Sequence, residues 1–460
     1  MHPAAPVEGS NWTVTIACHH GAGMAGGALF YVRAYGRSIL PGFVTDHRNG
    51  TYDITILPLD AGLYQLEVVL TFSHPPPWNA SFTCHRYYYY LGYEGYLLPG
   101  FPLPIAFRSK EEEDNNDMPR RQVRRSASTS TTTRRLCGQS DLVEQTPRST
   151  VERGRWLVLR KSVENDYYHQ QNESSASFLG SSTFNGYLSG VNSLGVRLDY
   201  VPTSCSLWSN RQAHREFRRR LHKQQQRAAR EGANTKGGIR VLFIGDSNFR
   251  IQQQLFNQLF GDLIESELIS TSGGILHTLP MIKARLRQLR DVQTAEEKEE
   301  YFILFNTGLH DIDKLCARSS SEQSSSLTTT TNVTSFFSTY RTAVEEFVDV
   351  VNEFPATLRV WQTTSAGWPK WGLYGVAWPP HKLQPFPLSP NFVEHLNAVA
   401  WEIMNERQIL VMDSYWLTLA RPDHRQITME NTLSQHLVHA GEEVYSVLLR
   451  KWLAIILDAL

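Results

Sequence analysis

The sequence has no excess of either charge: 45 lysines and arginines face 45 aspartates and glutamates in 460 residues. That balance removes the bulk-electrostatic case for a nucleic-acid or anionic-membrane partner. Its five cysteines, Cys18, Cys84, Cys137, Cys205 and Cys316, form no CxxC pair. A zinc knuckle and a thioredoxin-type redox motif are therefore excluded, and neither a metal nor another cofactor is expected. Long apolar runs are missing as well, since the last, "WLAIILDAL", is far too short to span a bilayer. The opening "MHPAAPVEGSNW" has neither a basic n-region nor an apolar h-region. Yet five N-x-S/T sequons, at Asn11, Asn49, Asn79, Asn172 and Asn332, fall mostly in polar, turn-like stretches. They suit a chain of the secretory pathway, in the Golgi lumen or outside the cell; the expectation is then that the N-terminal leader is missing from this sequence, the alternative being a cytosolic chain.

What is present suffices for a large core: 41% of residues are apolar and 11% aromatic, over a length that fits about two or three domains. Residues 1–107 alternate apolar and polar at period two, in "ALFYVRAYG" and "GFVTDHRNGTYDITILPLDAGLYQLEVVLTF", with turns at "RNG" and "DAG". Short strands on that rhythm predict an all-β sandwich. Cys18 and Cys84 lie near the ends of this unit, where a bridge would staple it. Residues 108–136 hold an acidic run, a basic run and a Ser/Thr tract with almost nothing apolar, the composition of a disordered linker. A similar Ser/Thr-rich stretch at 318–335 reads as a surface insertion in the following domain, 137–460. The basic run "RQAHREFRRRLHKQQQRAAR" at 211–230 reads as a solvated helix rather than a nucleic-acid site, because no stacking aromatics are interleaved with its charges.

From residue 239 the pattern becomes strand alternating with helix. "IRVLFIGD" precedes "FRIQQQLFNQLF", and "YFILFNTG", "RTAVEEFVDVVNEF", "LRVWQTTSA", "NFVEHLNAVAWEIM", "QILVMDSYW" and "GEEVYSVLLRKWLAIIL" continue the series. This predicts a three-layer α/β/α domain on a parallel sheet, with its site at the carboxyl ends of the strands.

Four segments fall at those ends: Gly245-Asp246-Ser247, "STSGG" at 270–274, "NTGLHD" at 306–311 and "SQHLVHAGEEV" at 434–444. A serine at a strand-to-helix turn is a candidate nucleophile if a histidine arrives to take its proton, with its own N–H and the helix dipole aimed at a developing oxyanion. The plainer role is that of an N-cap for the next helix. Arg250, one helical turn on, shares the face of Ser247 and is a candidate for holding a carboxylate or sugar oxygen, or else for a salt bridge that anchors the helix. The stretch 361–380 carries Trp361, Trp368, Trp371 and Trp378 among prolines and glycines. Trp368 and Trp371 are candidates for stacking on sugar rings, the alternative being a packed loop core.

In this order and spacing, the four blocks resemble the SGNH (GDSL-type) hydrolases. "GDSNFR" is similar to the PC-esterase branch, which holds the neurexophilin and PC-esterase domain family and the plant trichome-birefringence-like O-acetyltransferases. "GRW" at 154–156 and "YVPTSC" at 200–205 resemble stretches that precede the GDS block in these families. The series Phe30, Val32, Gly36, Gly42, Val44, Asp46, Asn49-Gly50-Thr51-Tyr52, Ala61-Gly62 and Tyr64 is similar to a filamin-type, immunoglobulin-like repeat, which precedes the esterase in members of that family.

The resemblance implies an oxyanion hole from the Ser247 N–H, a glycine of the second block (Gly273 or Gly274) and a third-block side chain. There Gly308 and Asp311 match a G-x-N-D pattern in which His310 stands where asparagine is usual. An imidazole N–H is able to donate in its place, and Asn306 is the other candidate donor. The family closes on D-x-x-H. The small residues and helix after His439 match those after the family's histidine, but His436 occupies the acid's position; with His436 as base, Leu433 would stand there instead. His439 is preferred, and the orienting acid then has to come from elsewhere, Asp423 being nearest and Asp413 reading as structural.

The function implied is acyl transfer or ester hydrolysis, O-acetyl above all, on a glycan or glycoprotein acceptor, with an acetyl donor in the case of transfer. The alternative is a catalytically impaired glycan-binding or adhesion module that keeps the fold, with the sandwich free to hold a partner protein. In an oxidising compartment Cys18 is expected to pair with Cys84 and Cys137 with Cys205, leaving Cys316 as the odd thiol.

Overall fold

The computed structural model describes residues 7–17, 26–36, 38–72, 81–85, 93–109, 135–143, 155–158, 187–188, 198–202, 205–230, 238–292, 300–311, 328–366, 390–420, 425–428, 435–440 and 442–460. Cys18, Trp368, Trp371, Asp423 and Cys316 lie outside the described residues, as do the side chains of Cys84, His436 and His439.

The first nine strands are β1 (Trp12–Ala17), β2 (Leu29–Gly36), β3 (Ser38–Pro41), β4 (Phe43–Asp46), β5 (Thr51–Ile56), β6 (Gly62–Phe72), β7 (Ser81–His85), β8 (Tyr93–Leu97) and β9 (Leu103–Phe107). β1, β5 and β4 form a small antiparallel sheet, while β3, β2, β6 and β8 run in a larger one, with β9 also on β6. Period-two alternation decides which side chains meet between them. β5 sends Tyr52, Ile54 and Ile56 inward, and β2 sends Phe30, Val32 and Ala34 to the same core, joined by Leu66 and Val68 of β6. The Phe30 and Tyr52 rings meet edge to face at 4.8 Å across it. The β4–β5 turn uses Arg48 and Gly50 at φ of 57° and 83°, and Asn49 Oδ1 accepts from the Thr51 N–H at 3.0 Å.

The larger sheet is buried on its other face too. Tyr31 and Val69 enter one hydrophobic core of the parallel-sheet region, and Ile39 enters the other. Between them the cross-strand neighbours Arg33 and Glu67 form a fully buried ion pair, Nε to Oε2 2.6 Å. The sheet is then extended through β3 by two strands from far along the chain, β10 (Arg155–Val158) and β12 (Leu198–Val201). These are the "GRW" and "YVPTSC" stretches, and they pair directly: Trp156 lies opposite Tyr200, their rings 5.4 Å apart. The Trp156 Nε1–H donates to the Leu417 carbonyl at 3.2 Å. A disulfide joins Cys137 to Cys205 beside this corner. The short β11 (Tyr187–Leu188) belongs to a separate small sheet.

The parallel sheet has the order β14-β13-β15-β17-β18, where β13 is Ile239–Gly245, β14 Glu265–Ser270, β15 Glu300–Phe305, β17 Leu358–Gln362 and β18 Leu410–Met412. Its central strands are apolar throughout because both faces are covered. Leu242, Ile244, Ile303 and Phe305 point into one core, and Val241, Phe243, Phe302 and Leu304 into the other. The helices, in chain order, are α1 (Gln139–Leu142), α2 (Asn210–Arg230), α3 (Ser247–Phe260), α4 (Ile275–Val292), α5 (Val333–Asn352), α6 (Pro390–Glu406), α7 (Tyr415–Leu419) and α8 (Glu442–Ala459). α4, α5 and α6 fill the first core, while α2, α3 and α8 fill the second. The molecule is thus mixed α/β, with an antiparallel sheet region and a five-stranded parallel sheet. Of the Ser/Thr-rich stretch at 318–335, residues 328–332 form β16 (Thr328–Asn332), antiparallel to β7, and α5 begins at Val333.

Candidate active site

β13 ends at Gly245, where an added Cβ would stand 2.4 Å from the Phe249 ring, so only glycine admits this sharp entry into α3. Asp246 is the N-cap, its Oδ1 accepting from the Asn248 N–H at 2.9 Å. Ser247 is therefore the first helical residue and not the cap, which removes the plainest structural reason for a hydroxyl here. It sits half-buried at the positive end of the α3 dipole.

The second and third blocks come after β14 and β15, the two strands flanking β13, so three of the four blocks share one edge of the sheet. Hydrogen bonds knit that edge together. The Thr271 N–H donates to the Gly245 carbonyl at 2.8 Å, and the Asn306 N–H to the Ile244 carbonyl at 2.9 Å. Asp311 spans from the third block to the second, accepting the Ile275 N–H at the start of α4 on Oδ1 at 2.5 Å and the Thr307 hydroxyl on Oδ2. Burial drives the Asp311 pKa up to about 6, partly opposed by these donors.

Of the two second-block glycines, Gly274 lies at φ 77° and spends its N–H on the Thr271 carbonyl at 2.8 Å. Gly273 is half-exposed in the same turn, so it is the better placed of the pair to donate outward. Gly308 has φ 153°, and a Cβ there would be 2.6 Å from Thr364 Oγ1, so the third block requires glycine. His310 stands half-exposed close by. The Asn306 amide is committed elsewhere, donating to the Gln362 carbonyl at 2.7 Å and to Thr364 Oγ1 at 3.2 Å. No such commitment is found for the His310 side chain among the described residues. Arg250 is exposed and makes no ion pair among the described residues.

The fourth block lies on β20 (Gln435–Ala440), in a small antiparallel sheet with β19 (Arg425–Thr428) and β11. His436 and His439 fall where the register slips, between the pairs Ile427↔Gln435 and Arg425↔Ala440. Two residues on, α8 begins, and its Tyr445 hydroxyl donates to Asn248 Oδ1 at 2.5 Å. The start of α8, just past the histidine block, is thereby fastened to the residue beside Ser247. Asp413 Oδ1 accepts the Trp416 N–H in the first turn of α7 at 3.0 Å, and its carbonyl accepts from Lys451 Nζ at 2.7 Å.

Sequence reading missed the buried polar lattice behind this edge. Thr364 donates through Oγ1 to the Thr307 carbonyl at 2.9 Å, and its peptide is held by Asn397, which accepts the Thr364 N–H at 2.7 Å and donates to the Thr364 carbonyl at 2.8 Å. The cluster of Thr and Ser in "QTTS" right after a strand was the available signal. Tyr445 gave none beyond being one aromatic in an apolar helix.

Among the described residues no group of three or more histidines, cysteines or carboxylates is placed to hold a metal, and no helix is long and apolar enough to cross a membrane. No family model matches the chain, and no curated protein matches it.

Proposed function

We propose that this protein is a serine-dependent acyl-transfer enzyme of the SGNH, PC-esterase type, acting on O-acyl groups of glycans and preceded by an immunoglobulin-like sandwich. One observation carries the reading: Ser247 opens a helix that Asp246 already caps, between two loops that Asp311 ties together on the same sheet edge. A hydroxyl on the first helical residue, at a helix N-terminus flanked by glycine turns, is suited to nucleophilic attack. In the proposed cycle the Ser247 Oγ attacks the ester carbonyl as a block-four histidine, His439 or His436, takes the hydroxyl proton. The oxyanion is met by the Ser247 N–H, by Gly273 and by His310. The ester C–O bond then breaks, the alcohol leaves with the proton, and a sugar hydroxyl or water releases the acyl group from Ser247. Arg250, exposed one turn on, is in position to bind an acidic or hydroxylated acceptor.

The test is turnover of an O-acetylated glycan, or of p-nitrophenyl acetate, by the full chain and by Ser247→Ala. Loss of turnover with an unchanged melt supports the reading. Full turnover by the variant rejects it, and an inert but folded wild type favours the glycan-binding module instead.

A further inference from the structure

The basic helix α2 has no part in the proposed chemistry, and its charge is segregated to a degree the neutral chain conceals. Its 21 residues hold eight lysines and arginines against a single acid, Glu216. Ala213 and Phe217 turn inward to the second core, with Leu221 packed against it. Glu216 is fully engaged, held by Arg219 and Arg220, the Arg219 hydrogen bond first among the causes that lower its pKa to about 2. Asp262, at the end of α3, is shared between His214 and Arg218.

Several of the other cations keep their charge toward solvent. Arg211, Arg215 and Lys223 are exposed and make no ion pair among the described residues, and Arg218 and Arg219 are 66% and 53% exposed despite their partners. Arg211, Arg215, Arg218 and His222 succeed one another at spacings of four, three and four, which places them in one stripe along the helix. From Arg211 to His222 the stripe covers about 16 Å, with the three arginines on its first ~10 Å and the exposed Lys223 beside its end.

We infer that this face of α2 binds a linear sulfated polysaccharide. A ladder of cations of this length matches an extended polyanion rather than a single phosphate or carboxylate. Two other polyanions fit less well. An anionic membrane would be joined by apolar side chains inserted alongside the charges, and no apolar residue stands among the exposed ones of this face. A nucleic acid would find no aromatic platform there. The Cys137–Cys205 disulfide closes just before α2 and belongs to an oxidising compartment, where polyanions are glycans. The surface is separate from the serine: His214 and Phe217 pack at the far end of α3, by Asp262 and Phe260, about 20 Å of helix away from Ser247. It does not depend on Ser247 being catalytic.

The test is binding of the purified full chain to immobilised heparin under a salt gradient, beside the double variant Arg211→Glu/Arg215→Glu. A second variant, Lys283→Glu/Arg287→Glu, reverses two cations that line a groove between α4 and α5. The wild type and the second variant are expected to elute together, and the α2 variant earlier, with affinity at 0.15 M salt weakened on the order of tenfold and a shallower salt dependence. Chemically desulfated heparin should not bind. Failure of the wild type to bind, or coelution of all three, overturns the proposal. So does displacement by a duplex DNA of equal charge at lower concentration than soluble heparin, which would assign the face to nucleic acid.

Discussion

Removing the carboxylate of Glu67 tests whether the antiparallel sheet and the parallel-sheet region are one cooperative body. Arg33 and Glu67 are both fully buried, 2.6 Å apart, on the sheet face whose neighbours Tyr31 and Val69 belong to a core of the parallel-sheet region. Glu67→Ala leaves the guanidinium buried without its carboxylate, at a cost of about 3–5 kcal/mol. For one cooperative unit of this chain's length that lowers the midpoint by roughly 4 °C. The double variant Arg33→Met/Glu67→Leu removes both charges and keeps the volume, and should melt within about 1 °C of the wild type or above it. The assay is thermal unfolding followed at two probes, near-ultraviolet dichroism and tryptophan fluorescence, which should give one coincident transition in all three proteins. An unchanged midpoint in Glu67→Ala, or a separate early transition confined to one probe, would refute the two-sided burial of this sheet.

Asp311 governs a pH effect. Its pKa, raised by burial to about 6, exceeds that of an unfolded aspartate, so the folded state holds this proton more tightly. The contribution is most favourable at acid pH and is lost as pH rises from about 4 through 6, for a penalty of about 3 kcal/mol at neutrality. Asp311→Asn keeps an acceptor for the Ile275 N–H, so its stability relative to wild type should rise across that window; a constant difference from pH 4 to 7 would refute it. Cys137→Ser/Cys205→Ser opens a bridge between residues 68 apart in sequence and should cost about 4 kcal/mol by chain entropy, read from denaturant midpoints under non-reducing conditions.

Much of the parallel-sheet region was legible because both-sided burial writes itself as unbroken apolar runs, such as "VLFI" and "YFILF". The inner face of the small sheet was legible through the strict alternation of "TYDITI". Boundaries were less so: α5 begins at Val333, inside what reads as a polar insertion, because its first turns pack Phe336 and Tyr340 into the core despite the serines and threonines around them. "QILVMDSYW" gives a strand of only Leu410–Met412 before α7 takes over at Tyr415. The joining of β10 and β12 to the N-terminal sheet was invisible, since pairing between residues more than a hundred apart leaves no local period. At the site, the serine block could be read from its glycine, acid and hydroxyl. That Asp246 caps α3 and that Asp311 braces the third block to the second could not be read until their partners, the N–H groups of Asn248 and Ile275, were placed.

The central claim is that Ser247 carries the acyl group, and the most direct measurement is peptide-level mass spectrometry after exposure to p-nitrophenyl acetate or a fluorophosphonate. The account predicts one adduct, on the Ser247 peptide. It should be absent from Ser247→Ala, and formed far more slowly in whichever of His439→Ala and His436→Ala removes the base. A folded wild type that takes no label, or a Ser247→Ala variant labelled as readily as wild type, would contradict it.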